Sequence, residues 1–132
     1  MVKRFFPMWL APNLVTLTGF VIYATMHSIF MWHCPVGHCP AETPPWVFYC
    51  MTASVLAYQN LDNCDGKQAR RTGTSSPLGE FFDHGVDALI ITMGPAALIT
   101  ALNLGYTWIL IALATSGWGL FYLGTWVSYA GI

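Results

Sequence analysis

The chain has 132 residues, of which 55% are hydrophobic and only 8% are charged. Because a soluble domain carries about 25% charged residues, this composition excludes an ordinary soluble domain and favours a membrane protein. The net charge of −1 is uninformative about nucleic acid, but the chain has no basic patch, so we expect no nucleic-acid partner.

Four stretches, taken in chain order, are candidate membrane spans. Asn13 to Trp32 is twenty residues without a formal charge, enough to cross a bilayer core of about 30 Å. Trp46 to Leu61 is apolar and ends at Asp62. Leu78 to Leu98 is polar on one face at its start and apolar afterwards, and Tyr106 to Ile132 is again long enough to span. We therefore predict an all-α, polytopic integral membrane helix bundle with about four transmembrane helices.

Prolines and polar residues predict where these helices begin. Pro12 suits the first position of the first helix, where its missing N–H costs nothing. Pro44 and Pro45 precede the second helix, and Ser76 and Pro77 are predicted to be the N-cap and first position of the third.

The basic residues predict the orientation of the helices. Lys3 and Arg4 lie at the N-terminus, and Lys67, Arg70 and Arg71 lie between the second and third predicted spans. Loops rich in Lys and Arg remain on the cytosolic side of a membrane. The N-terminus and the 66–77 loop should therefore face the cytosol, and the 33–45 loop, which has no basic residue, should face a lumen or the outside.

The loop after the first span contains four residues of types that can bind a metal: His33, Cys34, His38 and Cys39. The spacing between its two cysteines is not a standard zinc pattern. In a lumenal loop, a disulfide between them or no linkage at all is the better interpretation, and a metal site stays as the alternative.

Acidic residues are concentrated in one segment. Five of the six lie within residues 62–87: Asp62, Asp65, Glu80, Asp83 and Asp87. A carboxylate at the centre of a membrane helix costs about 3 kcal/mol, and the nearby basic residues are too few to neutralise all of them. Hard divalent cations prefer carboxylate oxygens, so we predict a metal site. A solvated helix end and an ion or proton pathway are the alternatives.

Very small residues accompany the aspartates at helical spacing. Gly66 and Ala69 share a face with the first two aspartates, and Gly79 shares a face with the last two. Small side chains let a bulky anionic ligand approach the backbone. We predict a four-carboxylate cavity, with Arg70 at its rim, that holds two metal ions about 3.5–4 Å apart and a phosphate or diphosphate.

Eight of these residues form a pattern with fixed spacings. It reads Asp62-x-x-Asp65-Gly66-x-x-Ala69-Arg70, then eight intervening residues, then Gly79-x-x-x-Asp83-x-x-x-Asp87. This pattern resembles the signature of the CDP-alcohol phosphotransferase family, also called CDP-alcohol phosphatidyltransferase class I. The amino-acid sequence of residues 65–72 and 76–85 is similar to that of the choline and ethanolamine phosphotransferase branch. The segment 11–14 resembles the start of that branch's first core helix.

The resemblance implies an enzyme of phospholipid biosynthesis. Such enzymes transfer phosphocholine or phosphoethanolamine from CDP-choline or CDP-ethanolamine to diacylglycerol and release CMP. Mg²⁺ or Mn²⁺, as two divalent ions, is the implied cofactor. The endoplasmic reticulum or another endomembrane is the implied location, with the motif facing the cytosol, and a homodimer is the implied assembly. The resemblance does not distinguish a choline enzyme from an ethanolamine enzyme.

The resemblance also implies roles for single residues. The expected metal ligands are Asp62, Asp65, Asp83 and Asp87, and the expected nucleotide contacts are Asn13, Gly66, Ala69, Arg70 and Gly79. Asn13 serves equally well as a helix start. We favour His84 as the general base, oriented by Glu80 one helical turn away, and Asp87 is the alternative base.

Complete members of the family have six core helices, whereas this chain supplies about four. We therefore expect one membrane domain over residues 1–132, truncated at its C-terminus, with its activity in isolation an open question. The alternative functions are a non-catalytic relative that keeps the metal site and a metal or proton transport element.

Overall fold

The computed structural model describes residues 6–35, 37–105 and 108–130. Within these ranges the chain forms helices and no strand, which confirms the predicted all-α fold. The helices are α1 (Pro12–His33), α2 (Pro45–Thr72), α3 (Pro77–Ala101) and α4 (Trp108–Ala130). Lys3 and Arg4, on which half of the predicted orientation depends, lie outside the described residues, as do the two ends of the last predicted span.

Local sequence signals set the helix boundaries. Pro12 and Pro77 each occupy the first turn, as predicted. The hydroxyl of Ser76 accepts a hydrogen bond of 3.1 Å from the backbone N–H of Gly79 and so caps α3. Gly73 ends α2 in the left-handed conformation, with φ of 67°, which favours glycine. α2 thus continues past the apolar stretch and carries the first two aspartates of the motif on regular helix.

α1 packs against both α2 and α3, whereas α4 packs against α3. A Cβ atom at Gly19 would lie 3.3 Å from Leu61 Cβ and 3.3 Å from Tyr58 Cδ2, so the glycine permits the close approach of α1 to α2. The buried core between the helices is largely aromatic and aliphatic, with Tyr23 and Phe30 each only 1% exposed.

The outer surface of the bundle is apolar. Among the described helices, α1 and α3 are long and apolar enough to cross a membrane. Trp32 and Trp108, at helix ends, are 86% and 85% exposed, as expected for aromatic side chains at a membrane interface. Large exposed apolar surfaces of this kind need a lipid or protein partner, and the fold is that of a membrane-associated helix bundle.

The loop between α1 and α2 lies at the opposite end of the bundle from the 73–76 connection. Cys34 and Cys39 are joined by a disulfide, so their sulfur atoms are not free to bind a metal. The backbone N–H of Gly37 donates a 2.9 Å hydrogen bond to the hydroxyl of Thr100, near the end of α3. The disulfide interpretation of this loop is therefore confirmed, and a metal site that uses these two sulfur atoms is not supported.

Candidate active site

The four aspartates of the motif come from two helices that approach each other beside α1. α2 provides Asp62 and Asp65, and α3 provides Asp83 and Asp87. One carboxylate oxygen from each of Asp62, Asp83 and Asp87 lies within 4.8 Å of the other two. This set of three is called the carboxylate cluster below. Asp83 and Asp87 are about one helical turn apart on α3, so their i, i+4 spacing places them on one face, and their carboxylates meet that of Asp62 from α2.

Protein hydroxyl groups orient two of the four carboxylates. Thr16, on α1, donates a 2.6 Å hydrogen bond from Oγ1 to Oδ2 of Asp65, which is 5% exposed. The backbone N–H of Gly66 donates to the other oxygen of Asp65 at 2.5 Å. On the opposite side, the Tyr58 hydroxyl donates a 2.7 Å hydrogen bond to Oδ1 of Asp87.

The other two carboxylates present oxygens without donors. Oδ1 of Asp62 and Oδ1 of Asp83 are buried and have no hydrogen-bond partner among the described residues. A buried anionic oxygen without a partner is costly, and neighbouring carboxylates repel one another. A cation removes both penalties. The donor set consists of carboxylate oxygens, which is the chemistry that Mg²⁺ and Mn²⁺ prefer, so the residues fit a divalent metal.

A polar cavity of about 560 Å³ opens beside the cluster. This volume lies in the usual range for small-molecule sites, about 300–1,000 Å³. The cavity lies where the start of α1, the end of α2 and the start of α3 meet. Its lining residues include Asn13, Thr16, Asp65, Gly66, Ala69, Arg70, Ser76, Gly79, Glu80, Asp83 and His84. Asp83 belongs to both the cavity and the carboxylate cluster, so it connects the two.

All five residues expected to contact a nucleotide line this cavity. A Cβ atom at Gly66 would meet nothing within 4 Å, so the space beside this glycine is open. A Cβ at Gly79 would lie 3.3 Å from Oδ1 of Asn13 and 3.3 Å from Oγ of Ser76. The two glycines therefore differ, because Gly66 leaves room in the cavity whereas Gly79 lets Asn13 approach α3.

The two candidate bases lie in different surroundings. His84 and Glu80 both line the cavity, and the His84 ring meets the edge of Phe121 of α4 with centroids 5.9 Å apart. Asp87 is in the carboxylate cluster and is engaged by Tyr58. A group that accepts a proton must come within hydrogen-bond reach of the substrate; His84 lines the cavity, whereas Asp87 is not among its lining residues.

Three residues important to the site were not predicted from the sequence: Thr16, Tyr58 and Gln68. Tyr58 lies one turn before Asp62 on the same face of α2, and Thr16 lies one turn after Asn13, so spacing could have indicated both. The fully buried Gln68 donates from Nε2 to the carbonyl oxygens of Pro7 at 2.9 Å and Leu10 at 3.2 Å. No sequence pattern pointed to this last contact.

Hydrogen bonds from Gln68 and Arg71 attach the segment that precedes α1, residues 6–10, to α2. A guanidinium nitrogen of Arg71 donates a 2.7 Å hydrogen bond to the carbonyl oxygen of Phe6. Arg70, the neighbouring residue, instead lines the cavity and is exposed. The two arginines thus have separate roles, and Arg70 is the one available to an anionic ligand.

Comparison with known proteins identifies the family. Residues 9–132 match the sequence model of the CDP-alcohol phosphatidyltransferase family. The chain belongs to the CDP-alcohol phosphatidyltransferase family. Members of this family generally depend on divalent metal ions, which agrees with the carboxylate cluster.

Individual relatives point to one branch of the CDP-alcohol phosphatidyltransferase family. A Dictyostelium discoideum protein named as a class-I member is 43% identical over 130 residues, covering 98% of this chain and 31% of the relative. Cholinephosphotransferase 1 of Saccharomyces cerevisiae is 37% identical over 126 residues, covering 94% and 31%. Choline/ethanolaminephosphotransferase 1 of the same yeast is 35% identical over 125 residues, covering 94% and 31%. The chain spans about a third of the length of these relatives.

Proposed function

We propose that this protein transfers a phospho-alcohol head group, phosphocholine or phosphoethanolamine, from a CDP-alcohol to diacylglycerol and releases CMP. The observation that carries this proposal is the junction at Asp83, where the carboxylate cluster meets a polar cavity large enough for a nucleotide. Relatives named for cholinephosphotransferase and choline/ethanolaminephosphotransferase support the same reaction.

The carboxylates are proposed to hold two divalent ions, Mg²⁺ or Mn²⁺. Asp62, Asp65, Asp83 and Asp87 are the proposed ligands, and the unpartnered oxygens of Asp62 and Asp83 support this assignment. When bound, such ions would neutralise a diphosphate and stabilise the negative charge that develops during phosphoryl transfer.

The cavity is proposed to bind the CDP moiety. The open space beside Gly66 lets the nucleotide approach the α2 backbone. Arg70 is exposed at the cavity and presents a guanidinium whose planar donors match phosphate oxygens. Asn13, Ala69 and Gly79 complete the proposed nucleotide contacts from α1, α2 and α3.

The transfer step requires a base for the acceptor hydroxyl. The hydroxyl oxygen of diacylglycerol forms a bond to the phosphorus that bears the head group, and the bond from that phosphorus to the CMP oxygen breaks. His84 is proposed to take the hydroxyl proton, with Glu80 orienting the imidazole and stabilising its charged form. The position of both residues on the cavity supports this assignment.

The cavity is proposed to face the cytosol, where a water-soluble CDP-alcohol is available. The Cys34–Cys39 disulfide lies at the other end of the bundle and supports a lumenal position for that loop, because disulfides persist in oxidising compartments. An endoplasmic reticulum or other endomembrane location and a homodimeric assembly are proposed with it, on the resemblance to the choline and ethanolamine branch.

The test is head-group transfer in membranes that contain the chain. Membranes are supplied with diacylglycerol and radiolabelled CDP-choline or CDP-ethanolamine, with Mg²⁺ or with excess chelator. We expect labelled phospholipid in Mg²⁺ only, and none from an Asp83→Asn variant. Metal-dependent nucleotide binding without phospholipid formation would overturn the transferase proposal and favour a non-catalytic relative. Movement of metal ions or protons across the membrane, again without phospholipid, would favour a transport element.

A further inference from the structure

The Tyr58 hydroxyl donates a hydrogen bond to the carboxylate cluster from the middle of α2. It lies 2.7 Å from Oδ1 of Asp87, with Tyr58 on α2 and Asp87 on α3. Tyr58 is only 5% exposed, so water does not compete freely for this hydrogen bond. The contact links the two helices that supply the four aspartates.

The packing around the Tyr58 ring leaves it little freedom. On one side, the missing side chain of Gly19 brings the α1 backbone close, because a Cβ there would lie 3.3 Å from Tyr58 Cδ2. On α1 one turn later, the Tyr23 ring lies against Tyr58 with centroids 6.2 Å apart and planes tilted by 54°. A ring held in this way aims its hydroxyl at a fixed point, which is what an orienting donor requires.

The hydrogen bond from Tyr58 gives the two oxygens of the Asp87 carboxylate different roles. One oxygen accepts from Tyr58, which fixes the rotation of the carboxyl group and leaves the other oxygen for a ligand. In the same cluster, Asp62 and Asp83 each have a buried oxygen with no partner among the described residues. Asp87 is therefore the member of the carboxylate cluster whose carboxylate orientation is fixed by a side-chain hydroxyl, that of Tyr58.

We propose that Tyr58 is a positioning residue that orients Asp87 for divalent-metal binding. This inference rests on the metal site of the proposed function and deepens it, because it assigns the site an outer hydrogen-bonding partner. Removing such a partner weakens metal binding by about 10- to 100-fold in characterised metal sites. The same loss is expected here for Tyr58→Phe, which deletes only the hydroxyl.

The experiment measures Mn²⁺ affinity by electron paramagnetic resonance, in which free Mn²⁺ gives the signal, on the purified chain in lipid nanodiscs. Mn²⁺ alone is the probe. The matched control is Tyr49→Phe, since Tyr49 is on the same helix but is 74% exposed. We expect Tyr58→Phe to weaken Mn²⁺ binding about 10-fold or more and Tyr49→Phe to leave it unchanged, with equal helix content by circular dichroism.

A double-mutant cycle separates positioning from general support of the fold. If Tyr58 acts through Asp87, Tyr58→Phe should cause no further loss of Mn²⁺ affinity in an Asp87→Ala background. Independent, additive losses would overturn the inference, and so would parent-like affinity of Tyr58→Phe. A parent chain that binds no Mn²⁺ would contradict both the inference and the metal site. Parent binding with an unaffected Tyr58→Phe variant would contradict the inference alone.

Discussion

Gly66 offers a sharp test of the cavity, because stability and ligand binding should change in opposite directions there. Gly66 lies within α2, and a Cβ at this position would meet nothing within 4 Å. Replacing a helical glycine by alanine should raise the free energy of unfolding by about 0.5–1 kcal/mol. The new methyl group would project into the space assigned to the nucleotide. Overpacking of a close contact costs about 1–3 kcal/mol, which corresponds to binding weakened by about 5- to 150-fold.

The matched control for Gly66→Ala is Gly85→Ala. Gly85 is also helical, and its Cβ would also meet nothing within 4 Å, but it is not among the residues that line the cavity. Both variants should melt at a higher temperature than the parent in circular dichroism. Titration calorimetry with CDP-choline and Mg²⁺ should show weaker binding for Gly66→Ala only. Equal affinities of the two variants would refute the assignment of this space to the nucleotide.

Three further predictions concern topology, chemistry and the N-terminal segment. A cysteine at the exposed Thr74, after replacement of the native cysteines, should react with an impermeant thiol reagent from the cytosolic side; labelling from the lumenal side would reverse the proposed orientation. His84→Ala should bind CDP-choline like the parent and slow single-turnover transfer by about 10²–10⁴-fold, whereas a parent-like rate would exclude His84 as base. Gln68→Ala loses two partly buried hydrogen bonds and should destabilise the chain by about 1–3 kcal/mol in thermal unfolding, with exposed Gln59→Ala as the neutral control.

The helices and the acidic motif were predictable because their signals are local. Proline at the first position and Ser76 as N-cap act within a single turn, so the sequence alone indicates where α1 and α3 begin. The i, i+3 and i, i+4 spacings of the aspartates also fix which side chains share a helix face. In the structure three of the four aspartates form the carboxylate cluster, whereas Asp65 lines the neighbouring cavity together with the five residues expected to contact a nucleotide.

The contacts between helices could not be predicted in the same way. The Thr16–Asp65 and Tyr58–Asp87 hydrogen bonds join residues 49 and 29 positions apart, and they depend on how α1, α2 and α3 pack. The space beside Gly66 and the close contact beside Gly79 are likewise properties of packing, since the residue type is the same at both positions. Local spacing determines which residues are available, and tertiary packing determines what they contact.

Metal-dependent nucleotide binding would show whether the carboxylate cluster and the cavity act as one site. Binding of CDP-choline to the chain in nanodiscs would be measured by titration calorimetry in Mg²⁺ and in excess chelator, for the parent and for Asp83→Asn. Asp83 is the decisive position because it belongs to both the carboxylate cluster and the cavity. We expect binding by the parent in Mg²⁺, none in chelator, and a large loss for Asp83→Asn in Mg²⁺. Equal binding by the parent in chelator and in Mg²⁺ would contradict a joint site for metal and nucleotide.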